Sequence, residues 1–345
     1  MTYLLLQAWR AVLTAALLAL LGACAGTPAM PAAKGTGDLG LVVGRADGSL
    51  TVVDTSARAI LGTIAGLGDL SHASLVYARD GATAYVFGRD GALSRVNLLT
   101  RRIEARIQQA GNSIGGAISQ DGSLIAAQNY QPGGVKVFDA RSLQLVADIP
   151  ATYDTPLEAG KRSRVVGLAD LPGKRFIFSL FDANQIWIAD FSQPGGPHLT
   201  QFHDVGRQPY DALVTPNGRH YIAGLFGEDG LAMIDLWEPQ PRVRRILGGY
   251  GRGQEPLPVF KMPHLRGWAV AGQLAYLPAI GRHEVLVVDT QSWQEVARIP
   301  VAGQPVFVMA QPDGRQVWVN FALPDYHRVQ VIDTQTQSVV TTLEP

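Results

Sequence analysis

One histidine and two arginines stand at places in this chain where they could work together. His72 follows Leu70-Ser71 and opens a strand-rich run that ends in Gly88-Arg89-Asp90-Gly91. Arg45, in Val43-Gly44-Arg45-Ala46-Asp47-Gly48, repeats the setting of Arg89 at a strand end one unit earlier. A neutral imidazole can ligate a metal, and a guanidinium fork can hold a carboxylate through two parallel hydrogen bonds. A metal-bearing macrocycle with acidic side chains would use all three residues. Turn arginines and strand-mouth histidines also occur as ordinary surface residues, so the pairing on consecutive units carries the reading. Three further stretches gather polar side chains. Residues 151–166 hold Tyr153, Glu158, Lys161, Arg162 and Arg164; residues 206–211 hold Arg207, Tyr210 and Asp211; residues 255–268 hold Lys261, His264 and Arg266.

Other chemistry is excluded or weak. Lys plus Arg number 29 and Asp plus Glu number 29, so no charge excess argues for a nucleic acid partner. The single cysteine, Cys24, excludes an internal disulfide, a thiolate metal site and a Cys-x-x-Cys-His haem attachment. Gly111-Asn112-Ser113-Ile114-Gly115 matches the spacing of a nucleophile elbow, but that motif needs a strand-to-helix turn. Gly248 to Gly253 is glycine-rich without the strand–loop–helix setting of a phosphate loop.

The elements that must position these groups repeat along the chain. An apolar run closes on Asp or Asn at positions 54, 97, 139, 190, 235, 289 and 333, and each is followed by a further strand. A second signal, Asp80-Gly81, Asp121-Gly122, Asn217-Gly218 and Asp313-Gly314, falls between them, each before a strand-like run. A period in the forties accommodates four short strands with turns, the size of a β-propeller blade. Asp-Gly and Asn-Gly supply the positive φ of tight hairpins. The expected fold is all-β, a propeller over residues 39–345. Seven units are visible, and the first leaves little room for its outermost strand. The two longest units carry inserts near 153–164 and 250–266, which in a propeller fall on one face, commonly the binding face.

Residues 1–23 hold Arg10 and then a short apolar run, ending in Leu21-Gly22-Ala23 before Cys24. Small residues before a lone cysteine at the end of such a run read as a lipoprotein signal peptide. The expectation is lipidation at Cys24, a flexible tether over 24–38, and a periplasmic, membrane-anchored product.

The runs 70–91, 113–139, 208–231, 250–270 and 301–321 resemble the NirF family of haem d1 biosynthesis proteins, related to NirN and to the haem d1 domain of cytochrome cd nitrite reductase. Gly227-Glu228-Asp229-Gly230-Leu231 and the stretch from Lys261 to Trp268 are similar to family signatures. The resemblance implies an eight-bladed propeller of the haem d1 type, so the chain ends about one blade short of it. It implies haem d1 or dihydro-haem d1 as ligand or substrate, with His72 as proximal iron ligand. Arg45, Arg89, Arg164, His264 and Lys261 would be binding residues. It implies an exported protein of late haem d1 maturation in denitrification, with the nitrite reductase and other maturation proteins as partners, and a homodimer as one state to test. Of the reductases' two distal histidines, one corresponds to His264 and the other is replaced within Ala310-Gln311-Pro312. Nitrite chemistry wants both proton donors, so a nitrite reductase is not expected. Two roles stay open. One is an oxidoreductase that dehydrogenates a precursor side chain, with Asp211, Glu228 or Tyr210 as base. The other is a non-catalytic carrier that delivers the cofactor. A haem-free interaction propeller is a third, weaker reading.

Overall fold

Near-continuous apolar runs, such as those of Arg175–Leu180 and Leu274–Ala279, give sheets with two apolar faces, and the computed structural model stacks those sheets face to face around an axis. It describes residues 35–250, 267–279, 282–322 and 324–344. Six four-stranded antiparallel meanders and one three-stranded sheet are present there, each hydrogen-bonded in chain order. They span 39–64, 74–108, 112–149, 165–202, 209–246, 269–300 and 305–343, and are numbered here as blades 1 to 7. The first strands of blades 2, 3, 4 and 5 adjoin one another in turn, as do those of blades 6 and 7, so the first strand is innermost.

Two turn chemistries make the meanders. The repeated Asp or Asn closes the hairpin between the third and fourth strands. In blade 3, Asp139 Oδ1 accepts the Arg141 and Ser142 amides at 3.1 and 2.7 Å. Asn97, Asp289 and Asp333 do the same for their own loops. Four residues beyond the acid or amide, the chain enters the left-handed region without glycine, at Arg101, Leu143, Trp293 and Gln337, with φ of 52–56°. The side-chain-capped loop offsets the cost of that conformation, which is on the order of 1 kcal/mol. The hairpin between the first and second strands instead uses glycine, with Gly81, Gly122, Gly218 and Gly314 at φ 64–73°.

Packing between blades is continuous from blade 1 to blade 7. Leu50, Val52 and Leu61 of blade 1 meet Val86 and Val96 of blade 2, and comparable clusters join each later pair. Each large apolar side chain that is fully buried there contributes about 1.5–3 kcal/mol, so these faces dominate stability.

The described residues form seven blades, matching the seven units visible in the sequence and one fewer than the eight that the family resemblance implies. The faces that another blade would cover, with Met309 and Trp318 on blade 7 and Val42 and Ile60 on blade 1, are exposed to solvent. One expectation is corrected: the strand missing from blade 1 among the described residues is innermost rather than outermost. Its three strands match the second to fourth of blade 2, because Gly44-Arg45 and Gly88-Arg89 both end the strand before the turn acid's own strand.

Gly116, in the inner strand Asn112–Ile118, tests the packing. A Cβ there would stand 2.2 Å from the Ala126 carbonyl oxygen and 2.3 Å from the Phe87 ring. Gly116→Ala should destabilise the fold by about 1–3 kcal/mol, read as a lower denaturant midpoint at unchanged slope. An unchanged midpoint would mean that blades 2 and 3 are not in this contact.

Candidate ligand site

The connections from the outer strand of one blade to the inner strand of the next, and those between second and third strands, lie at one end of the ring. Arg45, His72, Arg89, Tyr153, Arg164, Arg207 and Glu228 all sit on these connections, so one mouth collects them.

The register of the blades sharpens this. The residues paired with the turn acids or amide of blades 1 to 5 are Leu39, Thr83, Leu124, Arg175 and His220. Six residues further along each strand stand Arg45, Arg89, Tyr130, Phe181 and Phe226. One repeat position therefore supplies two cations and then three aromatic rings in sequence around the mouth.

The rings form a floor. Phe181 lies 5.9 Å from Tyr210 and 5.8 Å from Phe226, and Tyr210 lies 5.5 Å from Phe226 between ring centroids. The Tyr130 hydroxyl reaches the Tyr210 hydroxyl at 3.5 Å. Ile114 and Val166 complete the cluster from the inner strands of blades 3 and 4. β-Bulges turn these side chains inward. The inner strands Asn112–Ile118, Val165–Leu171 and Pro209–Val214 each shift register just where Ile114, Val166 and Tyr210 stand. Gly167, at φ 63°, is required where two bulges meet, because a Cβ would lie 2.7 Å from the Tyr210 carbonyl oxygen.

Cations cap the floor. The Arg164 guanidinium carbon is 4.4 Å from the Phe181 ring centroid and 5.9 Å from that of Tyr130; Arg89 is 5.6 Å from Tyr130. The two arginines differ in what else they hold. Arg164 is gripped by Asp182, with Nε at 3.0 and 3.2 Å and Nη2 at 2.5 Å from the carboxylate oxygens. Its own amide also donates to Asp182 at 2.9 Å. Among the described residues, Arg45 and Arg89 form no ion pair. Moving Arg164 to a ligand carboxylate exchanges one carboxylate for another, with little net gain. Arg89 and Arg45 would each add a charge-assisted hydrogen bond, typically about 1.5–3 kcal/mol.

The Tyr130 hydroxyl is pushed far up by burial, then by the neighbouring Tyr210 hydroxyl, and Arg164 and Arg89 only partly oppose this. It is a neutral donor at any working pH.

His72 projects from the tight turn Leu70–Ala73, closed by the Ala73 amide donating to the Leu70 carbonyl at 3.2 Å. Asp69 Oδ1 caps the Ser71 amide at 2.8 Å, and the Arg89 amide donates to the Asp69 carbonyl at 2.8 Å. The turn that carries His72 is thus tied to the turn that carries Arg89. His72 is exposed and Leu70 anchors it from the core.

The three candidate bases differ from one another. Glu228 accepts from Arg245 at 2.7 Å and from the Arg207 amide and Nε at 3.1 and 3.4 Å. The hydrogen bond from Arg245, followed by that from Arg207, holds its carboxyl below the usual carboxylate range. Asp211 is buried, and its Oδ1 accepts the Ala212 amide at 3.0 Å. Tyr210 belongs to the floor. The insert 153–164 forms a hairpin on the mouth, Thr152–Tyr153 with Lys161–Arg162, beside Arg164 and Asp182. Cys24, Lys261, His264 and the greater part of the second insert lie outside the described residues.

Residues 34–345 match the Cytochrome D1 heme domain family. The chain is 61% identical over 337 residues to the Protein NirF of Stutzerimonas stutzeri, covering 97% of this chain and 84% of that one. The chain belongs to the NirF family. The Pseudomonas aeruginosa Protein NirF is 60% identical over 329 residues, 95% of this chain and 83% of its own. A dihydro-heme d1 dehydrogenase of Pseudomonas aeruginosa is 27% identical over 280 residues, 79% of this chain and 53% of that one. Among solved structures, the dihydro-heme d1 dehydrogenase NirN in complex with DHE superposes with a TM-score of 0.76 at 23% identity, over 93% of this chain and 67% of that one. That likeness shows a common propeller fold for this NirF-family chain.

The Arg164–Asp182 pair carries a pH signature. Burial, the largest influence, pushes the Asp182 carboxyl up, but hydrogen bonds from the Arg164 side chain and amide more than reverse it and leave it low. A carboxyl with a depressed native value stabilises above its unfolded value of about 3.9 and loses that contribution as pH falls through the native one. Asp182→Asn should lower the melting temperature at pH 7, and the gap from the native chain should close below about pH 4. A gap that stays constant from pH 7 to pH 3 would show that the ionised pair is not what holds this corner.

Proposed function

We propose that this protein binds an acidic iron tetrapyrrole, haem d1 or its dihydro precursor, on the mouth of the propeller, and holds it during late haem d1 maturation for nitrite reductase. Membership of the NirF family supports involvement in haem d1 biosynthesis. The observation that carries the binding reading is the aromatic floor of Tyr130, Phe181, Tyr210 and Phe226, with Arg89 over Tyr130 and Arg45 at the same repeat position one blade earlier; among the described residues neither arginine forms an ion pair. Such residues fit a flat macrocycle with carboxylate side chains. The rings take its face and the forks its carboxylates. The exposed imidazole of His72 is the described side chain best placed to reach an iron from a turn tied to Arg89. The bound group would supply the redox-active iron.

Holding and delivery is favoured over catalysis by the state of Glu228, the candidate base on the mouth loops. Glu228 is committed to two arginines, and a carboxylate held below its usual range is a weak base. A second reading, dehydrogenation, draws on the 27% identity to a dihydro-heme d1 dehydrogenase. It would move two electrons and two protons from a propionate side chain to an external acceptor. Titrating the purified protein with dihydro-haem d1 and following the absorption spectrum separates the two. A shifted but constant spectrum is expected, and conversion to the haem d1 spectrum would establish the enzyme. His72→Ala should change the axial-ligation bands of the bound tetrapyrrole. Unchanged bands would move the iron ligand elsewhere.

The same proposal includes export and anchoring through a lipid on Cys24. Cys24→Ala should shift the protein from the membrane to the soluble periplasmic fraction. Retention in the membrane fraction would sink the lipoprotein reading.

A further inference from the structure

Arg164 stands where a ligand-binding arginine is expected, yet its surroundings give it other work. Its fork is filled by Asp182 in a two-sided grip, and its backbone amide is bound to the same carboxylate. Its flat cation lies over Phe181 at 4.4 Å and near Tyr130 at 5.9 Å. Asp182 is itself fixed, because its amide donates to Ser163 Oγ at 3.0 Å, and Ser163 is fully buried. The chain thus runs Ser163, Arg164, Phe181, Asp182 as one knot between the entry and exit of blade 4. Phe181 is the central ring of the floor, in contact with Tyr210 and Phe226.

We infer that Arg164 is a positioning residue. Together with Asp182 it holds the Phe181 and Tyr130 rings, and through Phe181 those of Tyr210 and Phe226, in their places beneath the macrocycle, and it does not bind a carboxylate of the ligand. Arg89, 5.6 Å from the Tyr130 ring centroid and in no ion pair among the described residues, is the contrasting case. The inference rests on the proposed tetrapyrrole site. It adds that the two arginines over Tyr130 differ in kind: one recognises charge and the other holds the aromatic rings that contact the macrocycle.

The test uses two probes of one shape, iron coproporphyrin and its tetramethyl ester. Dissociation constants and the position of the main absorption band are measured for the full chain and four variants. Arg89→Gln should weaken the acid about tenfold and the ester by less than twofold. Arg164→Gln should weaken acid and ester by the same factor, roughly three- to tenfold, and shift the absorption band of both. Asp182→Asn, which leaves Arg164 free to meet a ligand, should reproduce the Arg164→Gln loss on both probes. Arg164→Lys, which folds with the charge in place but lacks the planar fork, should fail to restore either. The inference is overturned if Arg164→Gln weakens the acid alone, if Asp182→Asn tightens the acid, or if Arg164→Lys recovers it. If the native chain binds neither probe, the tetrapyrrole site itself falls, an outcome distinct from an acid-selective loss at Arg164.

Discussion

A sheet whose two faces are both apolar cannot stop at one partner. Each interior blade here meets a neighbour on either side, and the chain of clusters from blade 1 to blade 7 follows from that single constraint. Once the sheets are stacked about an axis, their sides and faces are occupied and only their ends remain for function. Connections at the ends have no core to fill, so they can carry charge and strain that a strand interior would not tolerate. The exposed flanks of blades 1 and 7 are the exceptions, and they show the same rule from the other side: where no described sheet packs, Met309, Trp318, Val42 and Ile60 meet water.

Charge at the mouth is sorted by whether it already has a partner. Arg164 and Asp182 neutralise each other, and Arg207 and Arg245 share Glu228. Such exposed pairs contribute little individually, typically under about 1 kcal/mol, but they fix where side chains stand. Against that tied background, Arg45 and Arg89 form no ion pair among the described residues. Net charge over the whole chain is zero and says nothing of this. What sets this mouth apart electrostatically is how its cations are paired, not how many cations the chain has.

Much of this architecture could be read from the residues, and the reason is local. A turn acid such as Asp139 works within four residues of itself, so its repetition survives in the sequence. The shared setting of Arg45 and Arg89 was legible for the same reason. The floor was not. Tyr130, Phe181 and Phe226 come from three blades, and Tyr210 reaches them only through a bulge that no residue pattern announces. A signal did exist. Counting from the residue paired with each turn acid puts Arg45, Arg89, Tyr130, Phe181 and Phe226 at one repeat position, but strand pairing has to be known before the count can begin. The partners of Glu228 were equally hidden, since Arg245 sits on an outer strand.

The floor also bears on what kind of site this is. Burial keeps Tyr130 protonated, and two cations overhead do not overcome that. A neutral hydroxyl facing a second hydroxyl can donate or accept a hydrogen bond, but it does not draw a proton from carbon. Glu228, the nearest thing to an ionised base among the candidates on the mouth loops, is held by the cations that flank it. A site meant to abstract protons would raise a carboxylate's affinity for them by isolating it in apolar surroundings. Glu228 and Asp182 show the reverse, since each is held by arginine. At these two positions the carboxylates act as fixed counter-charges that set where the arginines stand, not as free bases.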